Sequence, residues 1–261
     1  MMDYELHNGD CLELMKGIPS GSVDLILCDL PYGTTACSWD TQINLDSLWE
    51  EYRRLVTPVG AILLFGSEPF SSFLRMKAID LYKYDWIWMK NRATGHVHAK
   101  NKPMKKHEII SVFSKGTTVH KGQSKSRMTY NPQGLEKMPE GTPRRARNDK
   151  GDNTCFAKRA SHHATEYEFT GYPTSILEFG IEMGDKRYHP TQKPVALLEY
   201  LILTYTEPGA LVLDNCMGGG STGVACVRTN RNFIGIELEE KSFSVAKKRI
   251  ESACAEIMGS E

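Results

Sequence analysis

The 261-residue sequence lacks the features typical of secreted, membrane and metal-binding proteins. Its seven cysteines include no Cys-x-x-Cys pair, and no spacing of Cys and His matches a zinc site, so we expect reduced thiols and no metal. No run of about 18 apolar residues could span a membrane, and the start MMDYELHNGD lacks a signal-peptide pattern. These absences predict a cytoplasmic protein.

An excess of charge of one sign is also absent, because the chain has 32 Lys and Arg and 32 Asp and Glu. This balance hides an asymmetry, since positions 91 to 160 hold 16 basic and only 5 acidic residues. A neutral chain with one basic segment indicates a localised surface that binds a polyanion. On its own, however, a run of charges is more often a solvated surface.

Seven short apolar runs, rich in Val, Ile, Leu and aromatic residues, predict β-strands. Helix-like stretches lie between several of them, and continuous runs such as DLILC and AILLF suit strands buried on both faces of a mostly parallel sheet. The predicted fold is therefore α/β, with a doubly wound, seven-stranded sheet. The strands are expected at 4–8, 23–29, 61–66, 84–89, 108–113, 210–215 and 233–238.

Apolar residues that recur every three or four positions predict three helices in the second half of the chain. One follows HPTQKP, with an apolar face from Val195 to Tyr205 and Thr191 as its cap. The other two are expected to begin near Ser221 and near Lys241.

Two segments, 91–107 and 115–175, are rich in Lys, Arg, Gly, Pro, Asn and Ser and have almost no apolar periodicity. Such composition is typical of loops or of an insertion. We therefore expect residues 1–114 and 176–261 to form one domain, with 115–175 as a basic, loop-rich insertion.

The run LVLDNCMGGGSTGVACV combines a strand that ends at Asp214 with a glycine-rich turn and the start of a helix. Glycines let the backbone approach a ligand closely, and a helix N-terminus presents free N–H groups. The next strand ends at Glu237, where an acid can accept hydrogen bonds from ribose hydroxyls. The spacing matches neither G-x-G-x-x-G nor a P-loop, which favours a different nucleoside ligand. A tight β-to-α connection without a ligand is the simpler alternative.

The predicted strand 23–29 runs into the sequence Asp29-Leu30-Pro31-Tyr32. Open α/β sheets bind ligands at the carboxyl ends of their strands, where Asp29 is expected to lie. Pro31 restricts the preceding residue and so fixes the direction of its carbonyl, while Tyr32 supplies a flat aromatic face. Two acceptors beside a stacking surface fit a planar heterocycle with an exocyclic amine, although an ordinary turn explains these four residues equally well.

HPTQKP, at positions 189–194, places two prolines around a polar tetrapeptide, which by itself indicates a rigid start to a helix. The order Asp-x-Pro-Tyr, basic region, HPTQKP and glycine-rich loop resembles the β-class of S-adenosylmethionine (SAM)-dependent DNA amino-methyltransferases over nearly the whole chain. The resemblance implies a Rossmann-like methyltransferase sheet and SAM as the methyl donor. It further implies methyl transfer to the N6 amine of adenine in DNA after base flipping.

The same resemblance implies roles for individual residues. Asp29 and the Leu30 carbonyl would accept hydrogen bonds from the target amine, with their direction fixed by Pro31, and Tyr32 would stack on the flipped base. The implied SAM-binding residues are grouped by the part of the cofactor that they contact: Asp214, Gly218 and Gly220 (methionine), Glu237 (ribose), Asp10 and the adjoining Cys11 (adenine), and Thr191 and Lys193 (carboxylate).

Two departures from the family pattern bear on function. Leu30 replaces the second residue of the usual Asp-Pro-Pro-Tyr, where only a backbone carbonyl is needed. The loop Asp214 to Ser221 replaces the usual Asp-Pro-Phe-x-Gly-Ser-Gly-Thr, which calls the cofactor affinity into question.

In this family, Asp in the first motif position favours adenine as the target, whereas Ser usually accompanies cytosine. A cytosine-N4 methyltransferase is therefore the less favoured alternative. The altered loop leaves a non-catalytic nucleic-acid-binding protein of the same fold as a second alternative.

The implied partner is double-stranded DNA, which the basic region would contact at phosphates and base edges. No nuclease-like segment is present, so a restriction endonuclease partner would be a separate protein, and a solitary enzyme is equally compatible with the sequence. Family members often dimerise, but no interface signature indicates a homodimer here. The candidate DNA contacts are Lys125, Arg144, Arg145 and Arg147.

Overall fold

The computed structural model describes residues 2–31, 43–118, 124–140, 168–181 and 192–259, which contain ten strands, six α-helices and two short 3-10 turns. The strands are β1 (Tyr4–Asn8), β2 (Val23–Cys28), β3 (Val56–Gly66), β4 (Tyr82–Thr94), β5 (Lys105–Ser114), β6 (Glu136–Lys137), β7 (Phe169–Thr170), β8 (Ile176–Glu178), β9 (Leu211–Asp214) and β10 (Asn232–Glu237). The helices are α1 (Cys11–Met15), α2 (Leu45–Leu55), α3 (Phe70–Lys77), α4 (Val195–Tyr205), α5 (Ser221–Thr229) and α6 (Glu240–Met258), and the 3-10 turns are His96–His98 and Ser124–Ser126.

The main sheet has the strand order β1-β10-β9-β2-β3-β5-β4-β8. Neighbouring strands are parallel except where β5 lies antiparallel between β3 and β4. All seven predicted strands are present, and the short β8 adds an eighth at the edge by pairing with β4. The prediction of a doubly wound, mostly parallel α/β sheet is therefore confirmed.

Helices cover both faces of this sheet, because strand residues point alternately to opposite sides. In β2, Leu25 and Leu27 belong to the core that packs under α4, α5 and α6. Ile26 and Cys28 belong to a second core that packs under α1, α2 and α3. This arrangement explains why the run DLILC is apolar without alternation.

The start of α4 differs from the predicted capping by Thr191. Pro194 is the N-cap residue, with φ −62° and an extended ψ of 130°, and no side chain caps the helix. The Pro194 carbonyl accepts hydrogen bonds from the N–H groups of Leu197 and Leu198, at 3.1 and 3.2 Å. Proline suits this place because it has no N–H of its own to satisfy. Thr191 itself lies outside the described residues.

The chain divides into two compact units, Met1–Asn131 with Ser175–Glu261 and, separately, Pro132–Thr174. The predicted insertion began at 115, but the chain as far as Asn131 belongs to the first unit. It is held there by the Thr129 N–H, which donates to the Val59 carbonyl at 2.9 Å, and by the Asn131 N–H, which donates to the Thr204 carbonyl at 2.6 Å. In the second unit, β6 and β7 form an antiparallel pair.

No helix in the described ranges combines the length and the apolar character needed to cross a membrane. Five of the seven cysteines lie in these ranges, and all five are free thiols.

Candidate functional site

The strand order reverses between β9 and β2, which are neighbours in the sheet. From β9 the chain continues through α5 to β10 on one side, and from β2 it continues through α2 to β3 on the other. In open α/β sheets, ligands bind in the crevice at the carboxyl ends of the strands at this point. Asp214 is the last residue of β9 and Asp29 directly follows β2, so both predicted acids lie at this crevice.

Leu30 follows Asp29 and is buried, with 3% of its surface exposed, in the core shared with α1 and α2. The Leu30 side chain therefore anchors the turn to this core. The family motif Asp-Pro-Pro-Tyr has a proline at this position. Pro31 completes the described part of this turn. Tyr32, the predicted stacking residue, lies outside the described residues.

The carboxylate of Asp29 is held by a buried cation. Lys193 Nζ donates a hydrogen bond to Asp29 Oδ2, and the lysine side chain is only 10% exposed. The same Nζ lies 5.0 Å from the ring centroid of Phe65, at the end of β3. Lys193 was predicted near the cofactor carboxylate, whereas its contacts here are with the catalytic candidate.

Lys193 also faces a second carboxylate, because its Nζ lies 3.5 Å from Glu108 Oε2. Glu108 belongs to β5 and pairs through its other oxygen with Lys90 on β4. The result is a chain of alternating charges, Asp29–Lys193–Glu108–Lys90, in which each side chain is no more than 26% exposed. We call these four residues the ion-pair chain.

Within the ion-pair chain, the neighbouring charges keep Lys193 and Glu108 charged despite their burial. Burial by itself would lower the pKa of Lys193, but the charges of Asp29 and Glu108 outweigh it, and the pKa of Lys193 is raised. Burial by itself would raise the pKa of Glu108, but the charges of Lys193 and Lys90 outweigh it, and the pKa of Glu108 is lowered. The lysine is therefore an ammonium and the glutamate a carboxylate at neutral pH.

On the other side of the crevice, Asp214 organises the glycine-rich loop. Its Oδ2 accepts a hydrogen bond of 2.6 Å from Thr222 Oγ1, and its Oδ1 accepts one of 3.1 Å from the Cys216 N–H. Burial is the largest cause of a pKa of about 7 for Asp214, against which these hydrogen bonds act. The next residue, Asn215, is buried and its Oδ1 accepts a hydrogen bond of 2.7 Å from the Tyr52 hydroxyl.

Glu237 connects the end of β10 to the same loop. Its Oε2 accepts a hydrogen bond of 2.8 Å from the Gly218 N–H, and its Oε1 accepts one of 2.8 Å from the Glu239 N–H. Gly218 has a φ of +49°, and a Cβ placed there would meet nothing within 4 Å. Gly220 differs, because a Cβ there would lie 2.8 Å from the Cβ of Ala246 on α6. Gly218 thus borders open space, while Gly220 allows a helix to pack closely.

Asp10 and Cys11 lie at the carboxyl end of β1, at the start of α1. Asp10 Oδ1 caps this helix by accepting hydrogen bonds from the N–H groups of Leu12 and Glu13, at 2.9 and 3.1 Å. The Cys11 side chain is buried in the core, and a hydrogen bond from the Cys216 thiol is the largest cause of its lowered pKa. The structure therefore brings Asp10 and Cys11 to the edge of the sheet that carries Asp214 and Glu237.

Of the predicted DNA contacts, Lys125 is exposed in the short 3-10 turn Ser124–Ser126. The other three candidates, Arg144, Arg145 and Arg147, lie outside the described residues, as does Thr191. Within the ranges that the structure describes, no group of three or more His, Cys, Asp and Glu residues is arranged to hold a metal ion.

Sequence reasoning missed Glu108 and Lys90. A weak signal for Glu108 exists, because it is a single acid at the start of the apolar run EIISVF. Its importance depends on β5 being antiparallel, which brings the beginning of that strand to the edge where the other strands end. Lys90 follows the run WIWM and has no distinguishing pattern.

Comparison with known proteins agrees with this geometry. A family model described as DNA methylase, of the N6/N4 type, matches residues 23–248. The chain is 26% identical to the type II methyltransferase M.HpaI of Haemophilus parainfluenzae, over 96% of this chain and 75% of that protein. It is also 26% identical to the DNA adenine methyltransferase YhdJ of Escherichia coli (strain K12), over 94% of this chain and 82% of that protein. The crystal structure of the M1.HpyAVI–SAM complex is 26% identical, with a TM-score of 0.61 that covers 95% of this chain and 98% of that one.

The match to the family model extends from the start of β2 to α6, and so includes both acids at the crevice and the glycine-rich loop that follows Asp214. The family predicted from the order of the motifs is thereby confirmed. The chain belongs to the N6/N4 DNA methylase family.

Proposed function

We propose that this DNA methylase transfers a methyl group from SAM to the N6 amine of adenine in DNA, after the base has been flipped out of the duplex. The observation that carries the proposal is the placement of Asp29 at the reversal of the strand order, with its carboxylate fixed by the buried Lys193. The glycine-rich loop lies at the end of the neighbouring strand, so a methyl donor and an amine can meet in the same crevice.

The residues around the glycine-rich loop fit SAM. Gly218 borders open space and has a positive φ, so a ligand can approach its backbone where a side chain would otherwise stand. Glu237 is already oriented by two backbone N–H groups, and each carboxylate oxygen has a further lone pair for a ribose hydroxyl. When bound, SAM supplies an electrophilic methyl group on a positively charged sulfur, and it is the ligand in the M1.HpyAVI complex.

The exocyclic amine of adenine is a poor nucleophile because its lone pair is delocalised into the ring. In our proposal, Asp29 and the Leu30 carbonyl accept hydrogen bonds from the two N–H groups of this amine. Acceptors in fixed positions favour the state in which the lone pair is localised on nitrogen and positive charge develops there. After transfer, Asp29 is placed to accept the proton that the methylated amine loses.

Lys193 is proposed as a positioning residue. Its ammonium holds Asp29 Oδ2, and the buried Leu30 holds the adjacent carbonyl, so both acceptors have fixed places before the base arrives. Such preorganisation matters because small displacements of a reacting group can lower a rate about 100-fold.

Adenine is preferred over cytosine because the first motif position is an aspartate and because a relative aligned over nearly the whole chain is named an adenine methyltransferase. The DNA contacts are proposed to include Lys125, Arg144, Arg145 and Arg147. A separate restriction endonuclease is a proposed partner, because two relatives are named type II methyltransferases. A homodimer is compatible with the family.

The proposal is tested by incubating the protein with labelled SAM and unmodified DNA, followed by chromatography of the nucleosides. We expect label in N6-methyl-2′-deoxyadenosine. Label in N4-methyl-2′-deoxycytidine would show that cytosine is the target, and DNA binding without any label would support a non-catalytic protein. The variant Asp29→Ala should lose transfer while retaining SAM binding, and turnover by that variant would contradict the role given to Asp29.

A further inference from the structure

Strands β4 and β5, which pair antiparallel, continue past the ion-pair chain as a basic hairpin. We call residues 91–107 the hairpin arm. It contains five Lys and Arg residues and no Asp or Glu. Residues 91–104 are all exposed, as is Lys106, and none of the ion pairs among the described residues involves a cation of the arm. The cations are Arg92, Lys100, Lys102, Lys105 and Lys106.

The arm is an ordered part of the fold. Thr94 pairs with Lys105 across the hairpin, and Gly95 turns the chain with a φ of +87°. The His98 carbonyl then accepts hydrogen bonds from the N–H groups of Asn101 and Lys102, at 2.8 and 3.0 Å. Like charges are thus gathered on one defined projection, which costs electrostatic free energy unless an anion binds there.

The direction of the arm follows from the sheet topology. Strand β5 is antiparallel to both β3 and β4, so β4 runs in the same direction as β2 and β3. The end of β4 therefore lies at the same edge of the sheet as Asp29, which follows β2. The arm projects beyond the edge at which the flipped base is proposed to bind.

The base of the arm is fixed to the proposed catalytic carboxylate. The pairing register between Met89 and Thr94 is irregular, because β4 has extra residues there opposite β5. Such bulges re-aim side chains, and here Lys90 contacts Glu108, which in turn faces Lys193 and through it Asp29. The position of the arm is therefore tied to the position of Asp29.

We propose that the hairpin arm binds the phosphates of duplex DNA that flank the target base, and so sets the position of the DNA relative to Asp29. This inference rests on the proposed function and gives a defined role to the first part of the basic segment 91–160, which lies outside the predicted insertion 115–175. On each DNA strand one phosphate occurs about every 3.4 Å of helix axis, so five cations distributed over the arm can contact several phosphates.

The test is the salt dependence of DNA binding. Binding of a fluorescent 25-base-pair duplex of mixed sequence is measured by anisotropy at several salt concentrations for the wild type and for Lys102→Ala/Lys106→Ala. Each lost phosphate contact reduces the slope of log affinity against log salt by about 0.9, so we expect a slope shallower by about 1.8. The corresponding loss of affinity at 0.1 M salt is at most about 60-fold.

The matched control is Lys16→Ala/Arg228→Ala, which also removes two exposed cations, with side chains 61% and 50% exposed. Lys16 follows α1 and Arg228 lies in the last turn of α5, on the segments that lead to the starts of β2 and β10 at the opposite edge of the sheet. The control should bind DNA as the wild type does, and both variants should retain the wild-type affinity for SAM. A single-stranded 25-mer should lose less affinity than the duplex in the arm variant.

Each contrary outcome has a distinct meaning. If the arm variant keeps the wild-type slope, or if the control loses as much, the arm is a solvated surface and the inference is wrong. If only single-stranded DNA loses affinity, the arm contacts a strand and not the flanking duplex, which also overturns it. If the wild type binds no DNA, the proposed function fails as well.

Discussion

Replacing Lys193 by methionine should separate two roles that this residue could have. The structure gives its ammonium the partners Asp29 and Glu108, whereas the family resemblance gives it the cofactor carboxylate. Methionine has a similar volume and no charge, so Lys193→Met removes the ion pairs with little loss of packing. Asp29 and Glu108 then both lose this cation, while Lys90 still contacts Glu108.

The size of the effect follows from burial. Removal of one partner from a buried ion pair costs about 3 to 5 kcal/mol, but Asp29 is 26% exposed and Lys90 still contacts Glu108. We therefore expect a loss of about 2 to 3 kcal/mol in the free energy of unfolding. This corresponds to a decrease in Tm of roughly 5 to 10 °C, so assays at 20 °C still use folded protein.

In activity assays, displacement of Asp29 should lower kcat by about 100-fold or more. The dissociation constant for SAM, measured by calorimetry, should stay within about threefold of the wild type, because the lost contacts are not with the cofactor. Lys90→Met is the matched control, since it also removes a cation from Glu108 but leaves the pair between Lys193 and Asp29. Its loss of stability should be similar, and its loss of kcat should be less than about tenfold.

The reasoning would be refuted by the opposite pattern. A charged hydrogen bond to the cofactor is worth about 1.5 to 3 kcal/mol, so a SAM dissociation constant raised by roughly 10- to 150-fold, with kcat intact, would assign Lys193 to the cofactor. The pH dependence gives a second check. Because the pKa of Glu108 is lowered and that of Lys193 is raised, the stability difference between wild type and variant should be constant between pH 4.5 and 10.5. It should diminish in more acid solution as Glu108 is protonated, and in more alkaline solution as Lys193 loses its proton.

Three further predictions concern the glycine-rich loop. Asp214 has a pKa of about 7 in the folded state, so between about pH 4 and 7 the folded protein holds a proton that the unfolded chain has lost. The free energy of unfolding should therefore fall as the pH rises from about 4 to 7. Chemical denaturation of Asp214→Asn should show no such pH dependence. Gly218→Ala and Gly209→Ala both place a side chain at a positive φ in open space, so each should lower Tm by a few degrees. Only Gly218→Ala should also weaken SAM binding, by about tenfold or more. Equal SAM affinities would contradict the placement of the cofactor. Tyr52→Phe leaves the buried Asn215 Oδ1 without its donor and should cost about 1 to 3 kcal/mol in a denaturant titration, whereas an unchanged midpoint would show that this hydrogen bond contributes nothing.

The parts of the fold that were predictable are those whose signal is local. Strands β2 and β9 are buried on both faces, so they read as short continuous apolar runs, and the acids after them stand out. The extension of β4 to Thr94 was not predictable, because residues 91–94 are exposed and their strand conformation depends on pairing with β5. For the same reason, the segment 91–107 was expected to be a loop.

The site likewise combines residues with a local sequence signal and residues whose contacts are long-range. Asp29 and Asp214 could be found because each ends an apolar run. The contact between Lys193 and Asp29 joins residues 164 positions apart, and the contact with Glu108 requires the reversed direction of β5. Spacing along the chain carries no information about either contact. The role of the Leu30 side chain was equally hidden, since its burial depends on helices on one face of the sheet.

The pairing of β1 with β10 has a kinetic consequence for folding. The Asp3 N–H, next to β1, donates to Asn232 Oδ1 in β10, a contact that spans 229 residues. Strand β1 is therefore synthesised early and finds its neighbour only when β10 has been made, whereas β2, β3, β4 and β5 can pair as they emerge. Long-range parallel pairing is slow because a large loop must close first. During that interval β1 and the open side of β2 are unpaired strand edges, so we expect chains truncated before β9 to aggregate.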